Sequence, residues 1–398
     1  MVTKIKTQNV KLRWLSVPPP EEGRVALLIP QYNESRNTDF VKRLRYFMNL
    51  ANDYEDILDV ILIDDGSTDD SLERMQEFIE TEKHSFYLAS AWPNGQKVGA
   101  LNAAAAAINH DYVILSDFDT DLCYLDRLGS SLQVLDSDPE MIGCYFKMIP
   151  YEGQGKVFLF QQLEYSFARM YYKFHDSEQS VPVMPGAGSC FKRELLLKVY
   201  SHHSGLRNGE DREATIIGLN LGYKTHYARG VLALTRPPLT FKNLLTQRKR
   251  WYCGYIETVH KEWAFYWKMI ARGKRIGLRT LQDGIGVLIL LLLPLEVGIL
   301  GLTMPGLLAG MALGSYLLSV GYYLSMYAAN RDERTEFKPG VARIIALYPI
   351  FWLSVSFVAW WRAVSGFRAT LRKKAQAPVT LVRAGKPEMH PVYAPAEE

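Results

Sequence analysis

Asp117-Phe118-Asp119-Thr120-Asp121 follows directly on the apolar run Tyr112-Val113-Ile114-Leu115-Ser116. A buried strand that stops at alternating carboxylates is poor folding material. Like charges a few Å apart repel and raise one another's pKa unless a cation or a ring of donors compensates them. The simplest compensator is a hard divalent ion, and Mg2+ takes one or two protein carboxylates and completes its shell with water and substrate phosphates. The pentad therefore reads as a metal-diphosphate site. The plain alternative is a solvated helix cap, a position that Asp also favours.

The segments that must position the pentad alternate short apolar runs with longer amphipathic ones. Residues 25–29, 60–63 and 112–115 have the length and branching of buried strands, and residues 40–52, 69–82 and 97–108 read as helices between them. This alternation predicts an α/β fold with a doubly wound, mostly parallel sheet, in which ligands bind beyond the carboxyl ends of the strands. The first strand ends at Pro30-Gln31-Tyr32-Asn33-Glu34 and the second at Asp64-Asp65-Gly66-Ser67-Thr68-Asp69, so three polar, acidic ends are expected on one edge. Asp69 is expected to cap the helix behind it.

At 398 residues the chain is long enough for a compact domain with an appendage, and a net charge of +4 gives no argument for nucleic acid. Cys123, Cys144, Cys190 and Cys253 have neither zinc-site nor disulfide-framework spacing, which fits a reducing, cytosolic setting. The opening residues are polar and end in Pro18-Pro19-Pro20, so no signal peptide is expected.

The motifs at 30–34, 63–69, Lys97-Val98-Gly99-Ala100-Leu101-Asn102 and 117–119 resemble the successive donor-site motifs of family 2 glycosyltransferases with the GT-A fold. The resemblance continues through Gly209-Glu210-Asp211 and Gln247-Arg248-Lys249-Arg250-Trp251, and covers residues 24–254. It implies a nucleotide-sugar donor, a UDP-sugar foremost, with Mg2+ or Mn2+. Tyr32 can stack on the base, while Glu34 with Asp64 or Asp65 can accept hydrogen bonds from base or ribose; the resemblance favours Asp65 for the base. Lys97 offers a point charge to the base carbonyl or the diphosphate, unless it is simply a surface lysine at a helix start. Gln96 stands where the family more often has glycine, so a different local backbone is expected.

The family pattern assigns the metal to Asp117 and Asp119, with Asp119 the firmer ligand. Asp121 is left over, either supporting the site or capping a helix that begins near Tyr124. An acceptor hydroxyl must lose its proton as it attacks, so a general base is required. Glu210-Asp211 is the candidate pair, with Gly209 allowing the chain to turn into a helix, and resemblance makes Asp211 the base. Either residue can equally be a helix start. A single displacement of this kind inverts the anomeric configuration. Trp251 can stack on a sugar and Arg250 can grip phosphate, with Gln247 beside them; in the family these residues lie at the acceptor and diphosphate site. A basic, bilayer-facing helix explains the same residue types. The segment around Gly186 is expected on the acceptor side.

Beyond residue 254, an amphipathic stretch at 255–283 leads to apolar segments at 284–302 and 306–328, each long enough to span a bilayer. Flanking Lys and Arg place both ends of this hairpin in the cytoplasm, and hence the catalytic domain on the cytoplasmic side of a cell membrane. A third segment, 344–361, is followed by basic residues, so it either lies along or re-enters the membrane or crosses against the topology rule; the expectation leans to a third membrane-embedded helix. The expected organisation is an N-terminal extension at 1–23, the α/β domain at 24–254, the interfacial stretch, a membrane region at 284–364 and a mobile basic tail at 365–398. Expected partners are the bilayer, a nucleotide-sugar, and a lipid-linked or glycan acceptor. A processive β-glycan synthase working as a homo-oligomer or with other membrane subunits is the nearer alternative, and a non-catalytic membrane scaffold the more distant one.

Overall fold

The computed structural model describes residues 10–20, 23–82, 86–167, 174–205, 208–330 and 337–376. Its strands are β1 (Lys11–Trp14), β2 (Val25–Gln31), β3 (Leu58–Asp64), β4 (Tyr87–Trp92), β5 (Tyr112–Leu115), β6 (Thr120–Cys123), β7 (Met141–Pro150), β8 (Ser189–Lys192) and β9 (Lys224–Thr235). They form one sheet in the order β1-β4-β3-β2-β5-β8-β7-β9-β6. β4, β3, β2 and β5 are mutually parallel, so β2, β3 and β5 deliver their acidic ends to one edge. Beyond them the sheet is mixed: β8 runs antiparallel to both β5 and β7, β9 is parallel to β7, and β6 is antiparallel to β9.

Along β2 the side chains alternate, Leu27 and Ile29 entering one apolar core and Ala26 and Leu28 the other. The first core is covered by α1 (Phe40–Asp53), α2 (Ser71–Thr81) and α4 (Leu128–Ser137). The second is covered by α3 (Gln96–Ala106), α6 (Arg193–His202) and α7 (Glu210–Asn220), while α5 (Gly155–Ser166) follows β7. Both faces are therefore wound, and the expected strands and helices stand within a few residues of their sequence-derived bounds. Asp69 sits one residue before the cap position of α2, where its carboxylate accepts from the Ser71 N–H at 3.1 Å.

The inward face of α1 carries Phe40, Arg43, Leu44 and Phe47, at the i, i+3, i+4, i+7 spacing of a buried stripe. Arg43 is thus a charge on an apolar face, 2 % exposed, and it reaches the corner between β5 and β6. It donates to the carbonyls of Phe118 at 2.6 Å and Thr120 at 2.8 Å and forms an ion pair with Asp121. Asp121 also accepts from the Tyr151 hydroxyl. The helix-cap alternative for Asp121 is overturned: it lies within β6, and the turn before α4 starts at Tyr124 in a left-handed conformation without a side-chain cap.

The remaining helices are α8 (Phe241–Lys261), α9 (Trp263–Ala271), α10 (Arg275–Thr303), α11 (Pro305–Ala329) and α12 (Tyr348–Gln376). Residue 254, the expected domain end, falls inside α8. α10 and α11 make the expected apolar hairpin, with Pro305 at the first turn of α11, where its missing N–H costs nothing. Three stretches, Arg275–Thr303, Pro305–Ala329 and Gly340–Phe367, are long and apolar enough to cross a membrane. The third differs from the hairpin in being 33 % buried, against 6 % and 0 %. α12 docks on the α/β domain through Phe351 stacked on Phe160 at 3.9 Å and Trp360 stacked on Tyr252 of α8 at 4.2 Å. Residues 365–376, expected as the start of a mobile tail, instead continue α12; the rest of that tail and residues 331–336 lie outside the described residues.

Arg43→Met removes the cation while leaving Asp121 and two carbonyls without their donor. It should cost about 3–5 kcal/mol, the range for breaking a buried pair. Thermal unfolding of the detergent-solubilised protein should show a clearly lowered Tm, restored in part when Asp121→Asn is added.

Candidate active site

The loops after β2 and β3 are stitched to each other. Asn33, in a left-handed conformation, accepts through Oδ1 from the Thr68 N–H at 2.8 Å, and its own N–H donates to Ser67 Oγ at 3.0 Å. Ser71 Oγ accepts from the N–H groups of Glu34 and Ser35, both at 2.9 Å. This leaves Tyr32 exposed at the cleft edge.

The two carboxylates of the Asp64-Asp65 pair part company here. Asp64 is 1 % exposed, and its oxygens accept from Gln31 Nε2 at 2.6 Å and from the Gly66 and Ser67 N–H groups at 3.1 and 3.2 Å. It closes its own loop. Asp65 accepts from the Gly95 N–H at 2.8 Å, and burial pushes its carboxyl up to about 6. That contact aims Asp65 at the start of α3, where Gln96 has φ +57°. At this position, where a different local backbone was expected, the chain makes a left-handed turn with a bulky residue in it.

From α3, Lys97 forms an ion pair with Asp117, donates to the Gly186 carbonyl at 3.1 Å and stands 3.9 Å from Glu210. Burial acts to lower its pKa, yet Asp117 and Glu210 outweigh that and raise it. Gly186 is the hub of this group. A Cβ there would lie 2.9 Å from Lys97 Nζ, displacing that flexible ammonium, and in contact with Asp211 Cβ at 3.5 Å and Glu210 Oε1 at 3.6 Å, so all three side chains gather on this one residue. Asp211 Oδ2 lies 3.4 Å from the Gly186 N–H. Gly209, at φ +72°, makes the turn into α7 that places Glu210 and Asp211 in its first turn. Burial, then the Asp211 charge, push Glu210 up to about 7.

Asp119 opens to the same cleft. Desolvation by the cleft walls, then Asp117, push it up to about 6, while Lys97, Arg43 and Arg236 work in the opposite direction. Asp119 in turn helps burial to raise Glu34, which places Glu34 beside the pentad. Arg236, at the end of β9, is held by Asp39 and Glu152. Asp117 and Asp119 form an oxygen-only, mutually repelling pair, the donor set that a hard divalent ion bridging to phosphate requires. Among the described residues no third metal-ligating side chain joins them, which leaves room for substrate oxygens.

On α8, Gln247, Trp251 and Gly254 share a face at i, i+4, i+7 spacing. Trp251 is 41 % exposed. Arg248 lies with its guanidinium 4.1 Å from the indole centroid while its Nη2 donates to Glu164 at 2.6 Å. Gln247 Oε1 is buried without a hydrogen-bond partner among the described residues, and Arg250 is exposed. Lys97, Asp117, Gly186, Glu210 and Asp211 are thus brought together, whereas no described hydrogen bond or ion pair joins Arg250 or Trp251 to them. Sequence reasoning passed over Arg43, Arg248 and Arg236. A charge at a buried helix position was the available signal for Arg43, and the motif at 247–251 for Arg248; nothing local marked Arg236.

Asp65, Asp119 and Glu210 all have raised carboxyl pKa values, so the folded state binds more protons than the unfolded one. Their contribution to stability is present below the ordinary carboxylate range and is lost as pH rises through about 6 to 7. Without metal these carboxyls should pull the Tm down from about pH 5 to about pH 7.5, against the opposing pull of His175, His203 and His226, whose pKa values burial lowers. Mn2+ should stabilise more at the upper end, and Asp119→Asn should flatten the decline; melts in EDTA and in Mn2+ check this.

Residues 20–254 match the model of a family described as "Glycosyltransferase like family 2". An N-acetylglucosaminyltransferase of Azorhizobium caulinodans is 25 % identical over 246 residues, 58 % of this chain and 59 % of the relative. One from Rhizobium meliloti is 26 % identical over 220 residues, 50 % of this chain and 48 % of its own length. The chain thus spans at most about three fifths of these curated relatives. A solved mannosyltransferase from Pyrobaculum calidifontis, in complex with GDP-Man and Mn2+, aligns over 89 % of this chain and 90 % of its own at 17 % identity and a TM-score of 0.47. The family model takes in every strand from β2 to β9 and runs on into α8, and by that match the chain belongs to the glycosyltransferase family 2 group.

Proposed function

We propose that the protein is an inverting glycosyltransferase. It moves a sugar from a nucleotide-sugar, UDP-N-acetylglucosamine first among the candidates because of the relatives' names, to a lipid-linked or glycan acceptor at a membrane surface. The observation that carries this reading is the convergence of Lys97, Asp117, Glu210 and Asp211 around Gly186, in a chain of this family. It brings a donor-side carboxylate and an acceptor-side carboxylate to either side of one lysine.

Tyr32 offers its ring to the base, and Asp65, anchored by the Gly95 N–H, accepts from a base N–H. Asp64 positions this loop without touching the donor. Asp117 and Asp119 would hold Mg2+ or Mn2+, which when bound neutralises charge on the departing diphosphate. With Asp117 so engaged, Lys97 would be free to turn to Glu210, 3.9 Å away, or to a donor phosphate. Asp211 takes the proton from the attacking hydroxyl, and the Gly186 N–H keeps its carboxylate oriented. Trp251 stacks against the acceptor sugar, with Arg248 packed on the indole to hold its plane, while Gln247 and Arg250 supply polar contacts. α10 and α11 hold the domain at a bilayer, and α12, docked on α8, lies along its cytoplasmic face and brings that helix close to a lipid-linked acceptor.

Incubation with UDP-N-acetylglucosamine, UDP-glucose, UDP-galactose and GDP-mannose in Mn2+ should release nucleotide from one donor above the rest, and EDTA should abolish release. Asp211→Asn should lower the transfer rate by ~10²–10⁴-fold, the range for loss of a general base, with UDP affinity unchanged. Wild-type turnover in that variant removes Asp211 as the base.

A further inference from the structure

Glu213 lies two residues beyond Asp211 on α7, and its side chain is fully buried. Every oxygen is engaged: Oε1 accepts from the Ser204 N–H at 2.9 Å and from the Lys261 ammonium, and Oε2 from the Ser204 hydroxyl at 2.7 Å. Lys261 is the last residue of α8, the helix that carries Trp251. Beside this pair, His203 Nδ1 accepts from the Gly205 N–H at 3.0 Å, so its Nε2–H donates to the Glu210 carbonyl at 2.9 Å. The approach to α7 and the end of α8 thus meet on one carboxylate.

The two helices also touch near the start of α7. A Cβ on Gly254 would lie 2.7 Å from the Asn208 backbone, and one on Gly209 would lie 3.0 Å from Gly254 Cα. Backbone meets backbone there, which only glycine permits. Between the two points the Arg212 guanidinium sits 4.8 Å over the Tyr255 ring. Two separated fixed points set both the distance and the rotation of one helix against another. A buried ion pair brings little net stability compared with an apolar pair of the same shape, so its use here is directional.

We propose that α7 and α8 are a single rigid unit, and that Glu213, Lys261 and Gly254 are positioning residues that hold the Asp211 carboxylate at a fixed place relative to the Trp251 indole. This rests on the reading of Asp211 as base and Trp251 as acceptor contact. A displacement of about 1 Å between them is enough to cost up to ~10²-fold in rate, because the hydroxyl would be stacked in one place and deprotonated in another. The donor side, built on β2, β3, β5 and α3, approaches α7 at Lys97, 3.9 Å from Glu210, and has no hydrogen bond or ion pair with Glu213 or Lys261 among the described residues.

The test uses the full chain in detergent. The double variant Glu213→Gln/Lys261→Met removes the charge pair while keeping the Ser204 hydrogen bonds and the packing volume, and Lys261→Arg keeps the pair. The double variant and Gly254→Ala should each lose ~10-fold or more in kcat for transfer, with UDP-Mn2+ affinity by calorimetry within about twofold of wild type. Lys261→Arg should retain most of the rate. Amide hydrogen exchange of residues 210–220 and 241–261 should rise together in the double variant. A folded double variant with the wild-type rate overturns the proposal, as does a loss of rate matched by equal losses of UDP affinity and Tm. A wild-type protein that turns over no donor fails the functional reading instead; the exchange measurement then decides the rigid unit alone, and unchanged protection of both helices overturns it.

Discussion

The acidic ends of β2, β3 and β5 repel one another, and the fold must keep them in a common cleft without neutralising all of them. Arg43 is the interaction on which that depends. From the buried face of α1 it takes up the carbonyls on either side of Asp119 and the carboxylate of Asp121, so the pentad has one backbone path. Asp121 is thereby neutralised and withdrawn. Asp117 and Asp119 remain turned to the cleft, the first met by Lys97 and the second raised to about 6. A cation buried in the core is an expensive way to shape a turn, since ~20 kcal/mol of idealised Born cost stands behind each buried ion before relaxation and pairing. It is tolerable because Arg43 has donors for every acceptor that the turn presents, and because Tyr46 and Phe47 lie against its guanidinium at 4.5 and 4.9 Å.

The same division recurs elsewhere in the cleft. Of two adjacent aspartates, Asp64 is spent on the loop and Asp65 is left with capacity. Of two arginines in the α8 motif, Arg248 is buried against Glu164 and Trp251, and Arg250 is exposed. Each pair holds one residue that builds and one that stays available. On the far side, α8 bears the load of connection: glycine contact to α7, an ion pair to Glu213, and aromatic stacking on α12. α8 shares this connection with α5, where Phe160 stacks on Phe351 of α12, and with Phe167 just after α5, which stacks on Tyr323 of α11.

Much of this was legible in the chain. The three strands, their acidic ends, the helices between them, the turn at Gly209 and the hairpin around Pro305 all depend on patterns within about twenty residues, where periodicity and turn chemistry act. What was not legible depends on pairs far apart in sequence. Arg43 and Asp121 are separated by 78 residues and Glu213 and Lys261 by 48, so no local window holds both partners. Asp121 as a helix cap was a fair local inference that failed because a strand continued where a helix start was expected. Gln96 is a further case, a bulky residue in a left-handed turn that its own type does not announce.

The sequence by itself determined the class of the sheet, the edge on which its carboxylates gather, and the family to which residues 20–254 belong. Those follow from side-chain periodicity and from the right-handed winding of parallel strands, which leave few alternatives. Only the tertiary structure decided which carboxylates stay free, which are consumed by loops and buried cations, and how α7, α8 and α12 are joined. The reason is energetic: a buried charge takes whatever partner the packed fold brings within hydrogen-bond reach, and that choice is made after the elements have assembled.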